Sequence, residues 1–115
     1  MSRRILKINE LISQELAKMF LGYFSNEFGL ITITDVSTSD DMKKSRVFIS
    51  VLPQNEENEK MLLAKLKKYS YDFQEELGKV MQTHYTPKLE FSIDKSTEGI
   101  IRVEEILNNL DNNKN

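Results

Sequence analysis

Cysteine is absent from the 115 residues, and with it go disulfides, thiol catalysis and cysteine-based zinc sites. That suits a reducing compartment, and a cytoplasmic location is the expectation. A long apolar run is missing too. Nothing approaches the roughly 18 consecutive apolar residues that a membrane-crossing helix needs, so no membrane segment is expected. The opening MSRRILKINELISQEL starts basic but has no apolar stretch leading to a small-residue cleavage site, so no signal peptide is expected either. Nor is there an excess of positive charge. Sixteen Lys and Arg stand against 18 Asp and Glu, giving a net charge of −2 and a pI near 5.5. Indiscriminate nucleic-acid binding goes with a basic domain, so any such role must rest on local patches.

Catalytic signatures are equally scarce. His84 is the single histidine; as a base it would need a nucleophile and an orienting carboxylate, and neither has a signature here. It reads as a loop histidine. GxxxxGK[ST], GxGxxG and HExxH are all missing. Asp35, Asp40 and Asp41 lack the ligand spacing and the glycine of an EF-hand loop. Asp40 and Asp41 are better read as turn formers that bond backbone N–H groups. No catalytic residue, metal or cofactor is expected.

What remains is a well-patterned chain of ordinary domain size, long enough to hide roughly two-thirds of its unfolded surface without a staple. From Ser2 to about Phe24, Ile5, Ile8, Leu11, Ile12, Leu16, Met19, Phe20 and Phe24 mostly recur three or four apart, which predicts an amphipathic helix capped by Ser2 and ended near Gly29. Leu30 to Ser39 reads as a strand whose phase slips, since Ile31 and Ile33 share one face and Val36 the other; a bulge near Thr34 and Asp35 would explain the slip. Arg46 to Leu52 alternates as a second strand, joined to the first by a charged turn that suits an antiparallel hairpin. After the polar loop PQNEENE, Leu62, Leu66, Tyr69, Phe73, Leu77 and Val80 form one helical stripe over about residues 58–82. Thr86 to Asp94 is a third strand with Pro87 at its start, where no ladder N–H is needed. Residues 97–110 follow as a short helix, and 111–115 as a frayed tail. Met19, Met42, Met61 and Met81 read as core filler or helix surface. The order predicts an α+β fold, helices packed on a three-stranded sheet, with 1–110 as a single domain.

Basic residues are the one remaining functional signal. Arg3, Arg4 and Lys7 open the first helix; Lys43, Lys44 and Arg46 flank the hairpin turn; Lys65, Lys67 and Lys68 sit on or beside the polar side of the long helix. For charge runs in general, a solvated surface is the ordinary reading. Arginine at a helix start also opposes the helix dipole, which is easier to tolerate beside an anion.

Two segments give this patch a context. VSTSDDMKKSRVFIS (Val36 to Ser50) resembles the V-x-x-S-x-D-L-x-x-A-x-V-(Y/F)-(V/I)-S segment of the bacterial ribosome-binding factor A family, matching at Val36, Ser39, Asp41, Val47, Phe48, Ile49 and Ser50. TPKLEFSIDKSTEGIIRVEEIL (Thr86 to Leu107) resembles the family's T-P-x-L-x-F-x-x-D-x-S segment at Thr86, Pro87, Leu89, Phe91, Asp94 and Ser96. Arg3, Arg4, Ile5, Glu15 and Leu16, and the run Glu76 to Lys79, are similar as well. The resemblance implies a type II KH-like fold, α-β-β-α-α-β plus a short C-terminal helix, with a mixed three-stranded sheet. It implies a non-enzymatic factor that binds free small (30S) ribosomal subunits and their 16S rRNA during late maturation and rRNA processing, commonly linked to growth in the cold; a monomer is expected separately, since the sequence leaves no long apolar surface stripe over. The candidate RNA-contacting residues are then Arg3, Arg4, Lys7, Lys43, Lys44, Arg46, Lys65, Lys67, Lys68, Lys79 and Lys88.

The chain departs from the family at two points. The GxxG loop of ordinary KH domains is missing in the family and here. The family's Ala-x-Gly, around which two helices kink, corresponds to Tyr69, Ser70 and Tyr71, which have none of glycine's freedom. Periodicity alone favours one long helix; the resemblance favours a bend at residues 69–71, and that is the expectation. The family's Arg ahead of the Thr-Pro segment has no counterpart, with Thr83 or His84 nearby. A competing reading is a small protein-interaction module using Phe48 or the C-terminal helix, without direct RNA binding. A hydrolase built on His84 is a distant third.

Overall fold

A computed structural model describes residues 2–81 and 85–95. Helix α1 spans Arg3–Phe24, strand β1 Leu30–Thr38, strand β2 Lys44–Leu52, helix α2 Glu56–Val80 and strand β3 Lys88–Ile93. The helix starts are set by side-chain caps. Ser2 Oγ accepts from the Ile5 N–H at 3.2 Å, and Asn55 Oδ1 accepts from the Asn58 N–H at 3.1 Å. Glu56, Glu57 and Glu59 in the first turn of α2 complement its dipole.

The sheet order is β1-β2-β3, with β1 antiparallel to β2 and β2 parallel to β3. Parallel neighbours need a long crossover, and α2 supplies it. The expected bulge is present: Ile33 pairs with Ile49 and Asp35 with Phe48, leaving Thr34 as the extra residue. It returns Val36 to the face shared by Ile31 and Ile33, so the slipped pattern becomes one continuous inner face. Thr34 is itself buried and donates to the Phe48 carbonyl.

Both helices lie on that inner face. Val47, Ile49 and Val51 are fully buried beneath Ile12, Leu16, Phe20 and Phe24 of α1 and Leu62, Leu66, Phe73 and Leu77 of α2. At the centre stands Phe73, with ring centroids of Phe20, Tyr23, Phe24, Tyr69 and Phe91 at 4.8–6.4 Å. Met19 and Met42 pack against this core and Met81 is buried in it, as filler would be, while Met61 is exposed.

Three expectations are revised or untouched. No break occurs at residues 69–71: α2 is one helix from Glu56 to Val80. A bend needs a local cause, and Ser70 supplies none, its hydroxyl donating back to the Lys67 carbonyl at 2.9 Å within the helix. The apolar stripe is also continuous across this point, from Leu66 through Tyr69 to Phe73. Phe48 is half-buried on the outer sheet face and is no protruding anchor for a protein partner. His84, the helix expected at 97–110 and the tail at 111–115 lie outside the described residues. Among the described residues, no helix is long and apolar enough to cross a membrane, and no cluster of His, Cys, Asp or Glu could hold a metal.

Candidate nucleic-acid interface

The charged hairpin turn is built by its own side chains. Ser39 Oγ donates to Asp41 Oδ1 at 2.6 Å, and the Lys43 N–H donates to the same oxygen at 3.0 Å. These two bonds hold the Asp41 carboxyl below the usual carboxylate value, the Ser39 hydroxyl contributing most. Met42 takes a left-handed φ of 66° and packs inward. Of the two aspartates read as turn formers, Asp41 makes the turn. Its geometry leaves Lys43 and Lys44 exposed, pointing away from the core.

The register then brings the turn to β3. Lys44 pairs with Lys88 and Arg46 with Glu90 across β2 and β3, and the Lys88 N–H donates to the Lys43 carbonyl at 2.9 Å. Strand alternation puts Lys44, Arg46, Lys88 and Glu90 on the outer face, opposite the helices. Glu90 is the residue that sequence reading missed in this patch. Its carboxylate lies 3.1 Å from Lys44 Nζ and 3.7 Å from Arg46 Nε. The hydrogen bond from Lys44, and then the charges of Lys44, Arg46 and Lys88, hold its carboxyl below the ordinary value. A phosphate arriving at Lys44 and Arg46 must compete with Glu90. Glu90→Gln is therefore expected to tighten RNA binding at low salt and to steepen its salt dependence; a titration of wild type and variant against the same RNA at several salt concentrations checks this.

Helix direction completes the arrangement. Thr38 Oγ1 donates to Asn9 Oδ1 at 2.6 Å, so the first half of α1 lies beside the end of β1, and its start faces the hairpin end of the sheet. The end of α2 arrives at the same place: Gln74 Nε2 donates to the Thr86 carbonyl at 3.0 Å, and a Cβ on Gly78 would stand 2.9 Å from Thr86 Oγ1. Arg3, Arg4, Lys7, Lys43, Lys44, Arg46, Lys79 and Lys88 thus gather at one end of the molecule, all of them exposed. Lys79 is paired with Glu76 at 2.9 Å, which raises its pKa. The acidic start of α2, with Glu56 and Glu57, lies at the other end, where Asn58 Nδ2 donates to the Phe28 carbonyl.

The remaining candidates divide. Lys67 lines a groove of about 520 Å³ between α2 and the β3 edge, together with Leu63, Ser70, Lys88, Leu89, Glu90 and Phe91. Lys68 stands over the Tyr69 ring, 5.4 Å from its centroid. Lys65 turns elsewhere. It is ion-paired with Glu27 and sits 5.5 Å over the Phe28 ring, tying α2 to the α1–β1 connection. The acidic first turn of α2 also contains a surprise: Glu59 is buried, with its carboxylate 2.7 Å from Lys95 Nζ.

The family model for ribosome-binding factor A matches residues 4–107. The chain belongs to the ribosome-binding factor A family. Among curated relatives, ribosome-binding factor A of Opitutus terrae is 32% identical over 111 residues, covering 96% of this chain and 90% of the relative. That of Bdellovibrio bacteriovorus is 29% identical over 110 residues, covering 95% and 81%. The crystal structure of ribosome-binding factor A from Thermus thermophilus shares the fold, with a TM-score of 0.67 at 17% identity over 80% of this chain and 98% of that one. A homology model of the Thermus thermophilus factor, fitted into a cryo-electron microscopy map of a complex with the 30S subunit, superposes with a TM-score of 0.63 at 15% identity, covering 84% and 98%. The two segments that resemble the family in sequence are those the fold joins, in the parallel pairing of β2 with β3 from Lys44–Lys88 to Ile49–Ile93. The family's Ser and Asp in the first segment are, in this chain, the pair that builds the hairpin turn.

Proposed function

We propose that this protein binds free small ribosomal subunits through their 16S rRNA during late maturation and is released before subunits join. It acts by binding, as a monomer in the cytoplasm, without cofactor or chemistry. The observation that carries this reading is the gathering of cations from both helices, the hairpin turn and β3 at one end of the molecule, away from the acidic start of α2. A rigid α+β core presents these cations to phosphates, while the acidic far end limits indiscriminate adhesion to RNA. The 30S complex of the Thermus thermophilus factor supports the choice of partner. Processing of 16S rRNA, and growth in the cold, are the cellular functions that the reading assigns.

Co-sedimentation with purified small subunits and with whole ribosomes, at two salt concentrations, tests it. Salt-sensitive binding to free small subunits and little binding to whole ribosomes is expected. Replacing Lys43, Lys44 and Arg46 together with alanine is expected to leave the fold intact, since all three are exposed, and to reduce the slope of log affinity against log salt by roughly 2 to 3, one unit per lost phosphate contact. An unchanged slope would remove the hairpin from the interface. Failure of the folded wild type to bind either particle would overturn the ribosomal reading.

A further inference from the structure

We propose that the free edge of β1, with the groove beside it, is a docking site for an extended protein segment, part apolar and part basic, that adds to the sheet alongside β1. The proposal is independent of RNA binding and does not rest on the ribosomal reading.

The strand order β1-β2-β3 leaves β1 with a neighbour on one side only among the described residues. An edge strand turns a row of backbone N–H and C=O groups outward, which is a template for another extended chain. Helix α1 does not close this edge. Between α1 and β1 lie two grooves, of about 370 and 330 Å³. Ile33 lines both, so they form one track alongside Leu30–Ser37.

The two halves of the track differ in chemistry. The half beside Leu30 and Ile31 is walled by Ala17, Phe20 and Leu21 of α1 and holds no charged residue. Leu21 is 75% exposed there and Leu30 41%, so apolar surface stands open. The half around the bulge contains Glu10 of α1 and Asp35 of β1, and neither Lys nor Arg. Lys7 and Lys18 adjoin the lining residues Leu6 and Ala17 in the chain but line neither half. Glu10 accepts from Gln14 at 3.4 Å. Neither Glu10 nor Asp35 has a cation among the described residues, whereas Glu15, Glu27, Glu59, Glu76 and Glu90 each have one.

That charge selects the occupant. Glu10 and Asp35 repel phosphates, so the track does not extend the cationic end. A second copy of this chain is disfavoured as well, because two paired β1 edges would set one cation-free acidic groove against another. The bulge at Thr34, with Asp35 exposed beside it, is the kind of device that keeps edge strands from pairing with themselves. A segment of opposite charge escapes that penalty. Its backbone would follow the β1 edge, its apolar side chains would cover Leu21 and Leu30, and its cations would meet Glu10 and Asp35.

The test is fluorescence anisotropy with a short labelled peptide, valine-rich in one half and lysine-rich in the other, made in both sequence orders. Amide resonances of the protein are followed by NMR in the same titration. The wild type is expected to bind at least one order, with shifts along Leu30–Ser37 and at Ala17 and Leu21 rather than along β3. Glu10→Gln combined with Asp35→Asn should weaken binding about fivefold at low salt, and less as salt rises. Glu56→Gln combined with Glu57→Gln, which removes two exposed carboxylates at the start of α2, should leave binding unchanged. Thermal unfolding shows whether each variant keeps the fold. A peptide N-methylated at alternate backbone nitrogens loses its ladder donors and is expected not to bind. No binding of either order, equal affinity of the methylated peptide, equal loss in both double variants, or shifts centred on β3 would overturn the proposal. A short unlabelled RNA is expected to leave the peptide bound; displacement by RNA would assign the site to the nucleic-acid interface and overturn the proposal too.

Discussion

Phe73→Ala should cost about 3–5 kcal/mol, the range for deleting a buried aromatic ring. The side chain is fully buried and touches rings from α1, α2 and β3 at once. Its removal opens a cavity where both helices meet the sheet, and the surrounding side chains come from three different elements, so no single shift can close it. Edge and tilted ring contacts add to the loss. Domains of this size commonly hold only about 5–15 kcal/mol in total, so the variant should be partly unfolded under ordinary conditions or melt at a much lower temperature. Urea unfolding followed by circular dichroism measures the change, and a midpoint within error of wild type would mean that Phe73 is not the centre of the core.

Gly29→Ala should be damaging for a different reason, at about 2–4 kcal/mol, from backbone strain plus overlap. Gly29 ends the α1–β1 connection with φ +79°, and a Cβ there would lie 2.3 Å from the Leu52 carbonyl oxygen. That oxygen belongs to the end of β2, which pairs with Leu30 directly after the glycine. Relieving the overlap means displacing the first rung of the hairpin. The contrast is Gly22, on the exposed side of α1, where an added Cβ meets nothing within 4 Å; Gly22→Ala should be neutral or stabilising by up to about 1 kcal/mol. The two variants measured side by side separate a steric requirement from a general effect of removing glycine. Equal behaviour of the pair would contradict the close approach at Gly29.

Much of the architecture was legible before any coordinates. The spacing of Ile5 through Phe24 gave α1, the slip between Ile33 and Val36 gave the bulge, and the unbroken stripe from Leu62 to Leu77 gave one long helix. The resemblance argued instead for a bend at Tyr69 to Tyr71, and local physics prevailed: without glycine and with Ser70 bonded inside the helix, nothing interrupts the ladder. Other features were hidden because their causes are not local. Asn55 looked like loop polarity and proved a helix cap. Glu59 looked like part of a solvated acidic run, but the fold buries it against Lys95, 36 residues later in the chain. Lys65 looked like one more member of the basic face, yet its partner Glu27 belongs to another element.

The candidate interface shows the division most plainly. The sequence by itself determined which residues carry charge, which periods they follow and therefore which side of each helix and strand they occupy, because side-chain direction within an element is a local property. It also determined the hairpin turn, since Ser39 and Asp41 close it within a few residues of chain. Only the tertiary structure decided that Arg3, Lys44, Lys79 and Lys88 stand at the same end, and that Glu90 sits among Lys44 and Arg46. Those relations depend on the parallel register of β2 with β3 and on the directions in which the helices cross the sheet. Both are set by burying one shared inner face, a cooperative choice that no short segment contains.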